Sequence, residues 1–448
     1  MKKRDLLGYG AATVADSGPY NFVMVYLLLF LTSVAGISPE RSGTILSVIM
    51  LIDGLIRLVI GYISDNTRSK YGRRRPYLLV SIVPFVLGLT FLFSSFSLEG
   101  TAQIVFYICA GAVFWLGFGL YHTPYLALGS ELTDDYNERS VLRTYARMFG
   151  IAANFMSMVL PLVIIKFLME SGVSEGNAWL LIALGIALIS GFSIMVTWRN
   201  TRGKEKPVEE SSGHKGAGKL ISDYISIFRL KPFRHMMIVV AAFIVANTFY
   251  NSSMVFFARY NLGIGDEITS AVFLVSIAAN VVYTPLMGFG AVRFGKKKVM
   301  AVSLLVSGIG GVLFFIIGIG SYADLVVYVC IFSVAYTCFW QLINAIMYDI
   351  NEVAEYKYGK RMEGSISYVY SFVFTVFSSA ATQILGWILK FGFIGQAFMV
   401  LPGVFLIIAA AAQFLYPLDE KTFNHLKTAM EYKRNGETFE SSDLKRII

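Results

Sequence analysis

The sequence predicts an all-α polytopic membrane protein of twelve helices arranged in two six-helix halves. Three observations carry that prediction. The 448 residues are 56% hydrophobic and only 15% charged, with a mean hydropathy of +0.63, whereas soluble domains run near a quarter charged. The apolar residues fall in twelve blocks about 20 residues long, the length a helix needs to cross ~30 Å of hydrocarbon. A charged, Gly/Ser-rich stretch, 201–235, divides the blocks six and six. Disordered, collagen-like and secreted disulfide-scaffold classes are excluded by the same figures.

In order, the spans are expected near 8–36, 42–63, 77–96, 103–129, 144–169, 178–198, 235–259, 267–290, 299–319, 324–348, 364–391 and 396–416. Helix is the economical reading because a backbone in lipid must satisfy its own hydrogen bonds, and no polar-in, apolar-out alternation suggests a barrel. Pro84, Pro161 and Pro285 are tolerated inside such helices. The opening MKKRDLL lacks a signal-peptide cleavage pattern, so the first span is expected to remain.

The N-terminus, alternate loops and C-terminal tail carry 32 of the 38 Lys and Arg residues, and the opposite loops near 97–102, 170–177 and 320–323 carry none. That asymmetry places both termini in the cytoplasm. The net charge of +9 is therefore topogenic, and no nucleic-acid partner is expected. Cys109, Cys330 and Cys338 lie inside apolar blocks, and the four histidines are scattered, so no metal centre or disulfide framework is anticipated. No Walker loop, GxSxG or HExxH occurs, and neither an enzyme nor a cofactor is expected. A monomer is the default.

The domain plan is then residues 1–200, a linker over 201–234, residues 235–417 and a tail over 418–448. The early linker is charged and flexible in composition, while Leu220–Leu230 has the pattern of a short amphipathic helix, lying at the interface or serving as a tether. A weak echo supports duplication. GYISDNTRSKYGRRR follows the second span and GFGAVRFGKKK follows the eighth, each a glycine, a tight loop with a further glycine, then a basic triplet. Twelve helices in two related halves is the arrangement of major-facilitator transporters, whose site sits at the midplane.

Ionisable groups inside spans are costly and usually functional. Asp16, Asp53, Arg57 and Arg147 stand there, with His122 a fifth, and the four formal charges cancel when His122 is neutral. Asp53 and Arg57 are i,i+4 and share a helix face, so an ion pair is expected, either pocket-facing or simply rigidifying the span. A sugar-sized ligand needs aromatic faces and convergent hydrogen-bonding groups. Candidates are Tyr20 and Asn21, Tyr121 and His122, then Asn247, Tyr250 and Asn251, and finally Trp340, Gln341 and Asn344, of which 340 and 344 share a face. Against this, Asn and Gln also tie helices together and Trp and Tyr mark interfaces.

Five segments carry a closer resemblance: LGYGAATVADSGPYNF with YLLLFLTSVAGIS; TRSKYGRRRPYLL; YHTPYLALGSELTDDYNERSVLRTYARMFG; FWQLINAIMYDINEVAEYKYGKRMEG; and YPLDEKTF. In that order the chain resembles, over nearly its whole length, the glycoside–pentoside–hexuronide:cation symporters, the group of melibiose permease and glucuronide transporters. The resemblance implies a major-facilitator fold and alternating access for a small sugar carried with a cation. It implies Asp16, His122 and Arg147 as hydrogen-bonding substrate contacts, Trp340 as a stacking face, and Asp53 as the first carboxylate of the cation motif. It also implies a cytoplasmic gate of ion pairs among Asp65, Arg68, Arg73, Glu131, Asp134, Glu138 and Arg139; solvated topogenic charge is the plainer reading of these.

Two departures bear on coupling. The family's D-x-x-x-D-P reads Asp53-Gly-Leu-Ile-Arg57-Leu58 here, and the family lysine of span eleven is replaced near Phe374-Thr375. A cation has left span eleven and one has arrived in span two. Both changes count against sodium. Proton symport through Asp53 or His122 and uniport with Arg57 as a tethered cation stand ahead of it. The expected activity is sugar or glycoside transport; the rivals are a lipid or lysolipid carrier and a non-transporting sugar sensor.

Overall fold

The computed structural model describes residues 3–67, 69, 72, 74–132, 136–203, 217–360 and 362–434. Among them twelve helices are long and apolar enough to cross a membrane, and no strand occurs. Spans 1 to 6 are Arg4–Val34, Pro39–Gly61, Arg75–Leu92, Gly100–Leu126, Thr144–Glu170 and Glu175–Asn200. Spans 7 to 12 are Lys231–Asn261, Asp266–Phe294, Lys296–Ile317, Tyr322–Tyr358, Glu363–Lys390 and Gln396–Phe414. Large apolar side chains such as Val292, Ile317 and Phe192 are well exposed. Hydrocarbon, unlike water, imposes no cost on that surface.

The sequence echo between the halves has a structural counterpart. Gly72 and Gly295, each just before a basic triplet, have φ of 103° and 86°, a region that only glycine enters freely. Spans 1 and 7 also each finish in a five-residue π-helical segment that begins with phenylalanine, Phe30–Val34 and Phe257–Asn261.

Span 10 runs to Tyr358, well past the expected end near 348. The stretch INEVAEYKY is too polar for lipid but contains no Gly or Pro, and the helix stops only at Gly359, whose φ of 69° gives a left-handed cap. On this overhang the linker helix Ala217–Phe228 docks: the Tyr358 hydroxyl donates to the Ser226 carbonyl at 2.7 Å, and Lys360 pairs with the buried Asp223. The tail helix Glu420–Arg434 docks there too, with Lys433 Nζ donating to the Tyr356 carbonyl at 2.8 Å. The amphipathic face of the linker helix therefore meets protein.

Two compact units result. One comprises Met1–Ser212, Asn251–Ile277 and Ser379–Ile394; the other comprises Gly213–Tyr250, Ala278–Ser378 and Gly395–Ile448. In the first, spans 3 and 4 touch backbone to backbone: a Cβ on Gly88 would sit 2.3 Å from the Phe114 nitrogen, and one on Gly117 would sit 2.3 Å from the Phe85 nitrogen. In the second, Gly308 and Gly311 of span 9 meet Gly403 of span 12 in the same manner. Such small-residue crossings hold helices together where the hydrophobic effect does not.

Candidate functional site

The first unit brings together four of the ionisable residues that the sequence singles out. Span 2 carries Asp53 and Arg57 one turn apart. Arg57 Nε donates to both Asp53 carboxylate oxygens, at 2.7 and 2.9 Å. Arg57 Nη1 reaches His122 Nδ1 of span 4 at 3.4 Å, and His122 Nε2 lies 3.2 Å from Asp16 Oδ1 of span 1. The result is a chain, Asp53–Arg57–His122–Asp16, across three spans.

Hydrogen-bonding capacity fixes the proton positions in that chain. A guanidinium can only donate, so His122 Nδ1 must accept. The ring proton then sits on Nε2 and is donated to the Asp16 carboxylate. His122 is thus held as a neutral spacer between a cation and an anion. Exposure grades along the chain: Asp53 is sealed at 8%, Arg57 and His122 are at 19%, and Asp16 is the most accessible at 27%. With His122 neutral, the formal charges sum to −1, and one added proton brings the cluster to zero.

Two aromatic side chains line the guanidinium and imidazole, and a third backs them. The Arg57 guanidinium lies 5.1 Å from the Phe118 ring centroid and 5.9 Å from that of Trp115, within cation–π range. Phe118 stacks on His122 at 5.3 Å, and Tyr20 meets Trp115 edge-on at 6.0 Å. Trp115 and Phe118 were missed by sequence reasoning, because aromatics in an apolar span look lipid-facing. Their signal was present: 115, 118 and 122 lie on one helical face.

The other expected residues are distributed differently. Tyr20 adjoins the cluster. Tyr121 is fully buried in the packing of spans 1 and 4; its hydroxyl donates to the Ala12 carbonyl and its ring stacks on Tyr125. Asn21 donates to Asn154 Oδ1 at 2.7 Å, a helix tie. Arg147 is exposed on span 5, so the charge sum of the buried chain excludes it. In the second unit, Trp340 packs among Phe243, Phe339 and Phe374, Thr375 is buried, and Asn344 is exposed and lines a small cavity with Glu363 and Tyr370. Trp340 Nε1 and Gln341 Oε1 are buried without a hydrogen-bond partner among the described residues. Of the expected gate, Arg68, Arg73 and Asp134 lie outside the described residues, as do the side chains of Asp65, Glu131, Glu138 and Arg139. No group of three metal-ligating side chains occurs among the described residues.

Residues 8–420 match the family model described as MFS/sugar transport protein. The chain is 27% identical over 450 residues to the "Uncharacterized symporter YnaJ" of Bacillus subtilis, covering 95% of this chain and 94% of that one. It is 24% identical over 469 residues to the "Glucuronide carrier protein homolog" of Escherichia coli, covering 98% of each. An isoprimeverose transporter of Lactiplantibacillus pentosus is 25% identical over 318 residues, 67% of this chain and 62% of that one. Among solved structures, a POT family transporter in complex with 5-aminolevulinic acid superposes with a TM-score of 0.70 at 13% identity, over 92% of this chain and 96% of that chain, a likeness of fold. This is a transporter lineage and not an enzyme one. The chain is an integral membrane protein of the major-facilitator sugar transporters, and within them it belongs to the glycoside–pentoside–hexuronide symporters.

Proposed function

We propose that this secondary transporter, with both termini cytoplasmic, carries a small neutral sugar or glycoside by alternating access, coupled to a proton at Asp16 and not to sodium. The observation that carries the reading is the four-residue chain. A sodium site needs oxygen ligands that leave it net negative, but both Asp53 oxygens already accept from Arg57. His122 Nδ1 is occupied as well, so a proton entering the cluster goes to Asp16, its most accessible carboxylate. A neutral cargo fits the same electrostatics. An anionic sugar would add negative charge beside a cluster that already sums to −1 and whose guanidinium is committed to Asp53. Trp340 offers an apolar face, and its Nε1 with Gln341 Oε1 offers polar atoms that cost stability while unpaired.

The substrate reading is tested by uptake into proteoliposomes across neutral glycosides, neutral pentosides, uronides and sulfonated sugars. Saturable uptake confined to neutral compounds is expected. A preference for uronides or sulfonated sugars would overturn the neutral assignment, and movement of lysolipid but of no sugar would favour the lipid carrier.

A further inference from the structure

We propose that the face of the protein opposite the basic loops is latched shut by one acid–lysine contact used twice, once in each half of the internal repeat. Glu40 pairs with Lys390 at 3.2 Å, and Glu267 pairs with Lys166 at 2.7 Å. Glu40 is the second residue of span 2, and Glu267 is the second residue of span 8. Lys390 ends span 11, and Lys166 stands in the last turns of span 5. Duplication maps span 2 onto span 8 and span 5 onto span 11. The two bridges are therefore the same contact, made from opposite halves.

Its placement suits a contact that must form and break. Each acid lies at a helix N-terminus and each lysine near a C-terminus, where the helix dipole favours that charge even without its partner. Lys166 also has Glu170 one turn away at 3.9 Å, a second carboxylate to turn to when Glu267 withdraws. Single exposed pairs contribute little, and neither bridge would hold the face alone. About one turn from the Glu40–Lys390 bridge the backbones of spans 2 and 11 touch: a Cβ on Gly386 would lie 2.6 Å from the Pro39 carbonyl oxygen and 2.9 Å from Gly43 Cα. Ser47 and Ser379 share a hydrogen bond at 2.7 Å, and Ser252 of span 7 donates to the Met24 carbonyl of span 1 at 2.9 Å. A transporter that alternates must part all of these contacts when this face opens. The inference rests on the transporter family and is independent of the sugar and of the coupling ion.

The test uses full-length protein in cells, with Cys109, Cys330 and Cys338 replaced by serine and a reporter cysteine at the buried Ser252. A membrane-impermeant maleimide is added from outside. Glu40→Lys and Lys390→Glu should each raise the labelling rate several-fold, and the double exchange should return it to the parental rate. Glu267→Lys should act like Glu40→Lys, and Lys166→Glu/Glu267→Lys should restore it. Combining Glu40→Lys with Glu267→Lys should exceed either alone. Unchanged labelling in the single reversals would overturn the latch. So would rapid labelling that persists in the exchanged pairs, which would mark the reversals as general structural damage.

Discussion

Asp16→Asn is expected to abolish gradient-driven accumulation of sugar. Asparagine keeps the size of the side chain and can still accept from His122 Nε2, so the chain to Arg57 stays connected. What it cannot do is bind and release a proton. Exchange of sugar at equilibrium should survive at reduced affinity, by a factor of about 10 to 100, if Asp16 also accepts from a sugar hydroxyl; a hydrogen bond to a charged group contributes about 1.5–3 kcal/mol, and 1.4 kcal/mol is tenfold. His122→Gln is the informative partner. Glutamine can accept from Arg57 and donate to Asp16 at once, so that variant should accumulate sugar, though more slowly. Counterflow and pH-jump uptake on the same proteoliposomes separate the two. Accumulation lost in His122→Gln and kept in Asp16→Asn would move the proton to the imidazole.

Arg57→Ser is expected to turn a sodium-indifferent protein into a sodium-responsive one. Removing one partner of a buried ion pair costs about 3–5 kcal/mol, because the other charge is left uncompensated. Asp53 is almost fully enclosed, so it must recruit a proton or a metal cation once the guanidinium is gone. Thermal unfolding in sodium chloride against choline chloride at equal ionic strength reads this directly. The variant should gain stability with sodium, about 2.7 kcal/mol when the ion is at a hundred times its Kd, and wild type should gain nothing. Arg57→Asp, with two carboxylates one turn apart, should respond more steeply. Asp53→Asn/Arg57→Gln should be more stable than Arg57→Ser and ignore sodium. A folded Arg57→Ser protein with unchanged stability and no sodium response would mean that Arg57 is not what satisfies Asp53.

The twelve spans were readable because lipid imposes length and apolarity together, and that criterion failed only where a helix leaves the lipid, as at the end of span 10. The Asp53–Arg57 pair was readable because it lies on one helix at a fixed spacing. Asp16–His122 was not, because no local rule joins residues of spans 1 and 4. Tyr121 and Tyr20 look alike in sequence, yet one hydroxyl is spent on the Ala12 carbonyl and the other ring stands beside the cluster. Charge alone likewise put Arg147 with the buried set, and its exposure takes it out of their balance. The compact units also depart from the two halves: short segments of spans 7, 8 and 11 group with the first six spans, through contacts that have no sequence signature.

Uptake of a transported sugar into proteoliposomes, under an imposed proton gradient, an imposed sodium gradient or neither, tests the central claim most directly. The Asp53–Arg57–His122–Asp16 chain predicts accumulation above equilibrium with the proton gradient and simple equilibration in the other two conditions. Accumulation driven by sodium, or equilibration that ignores both gradients, would contradict it.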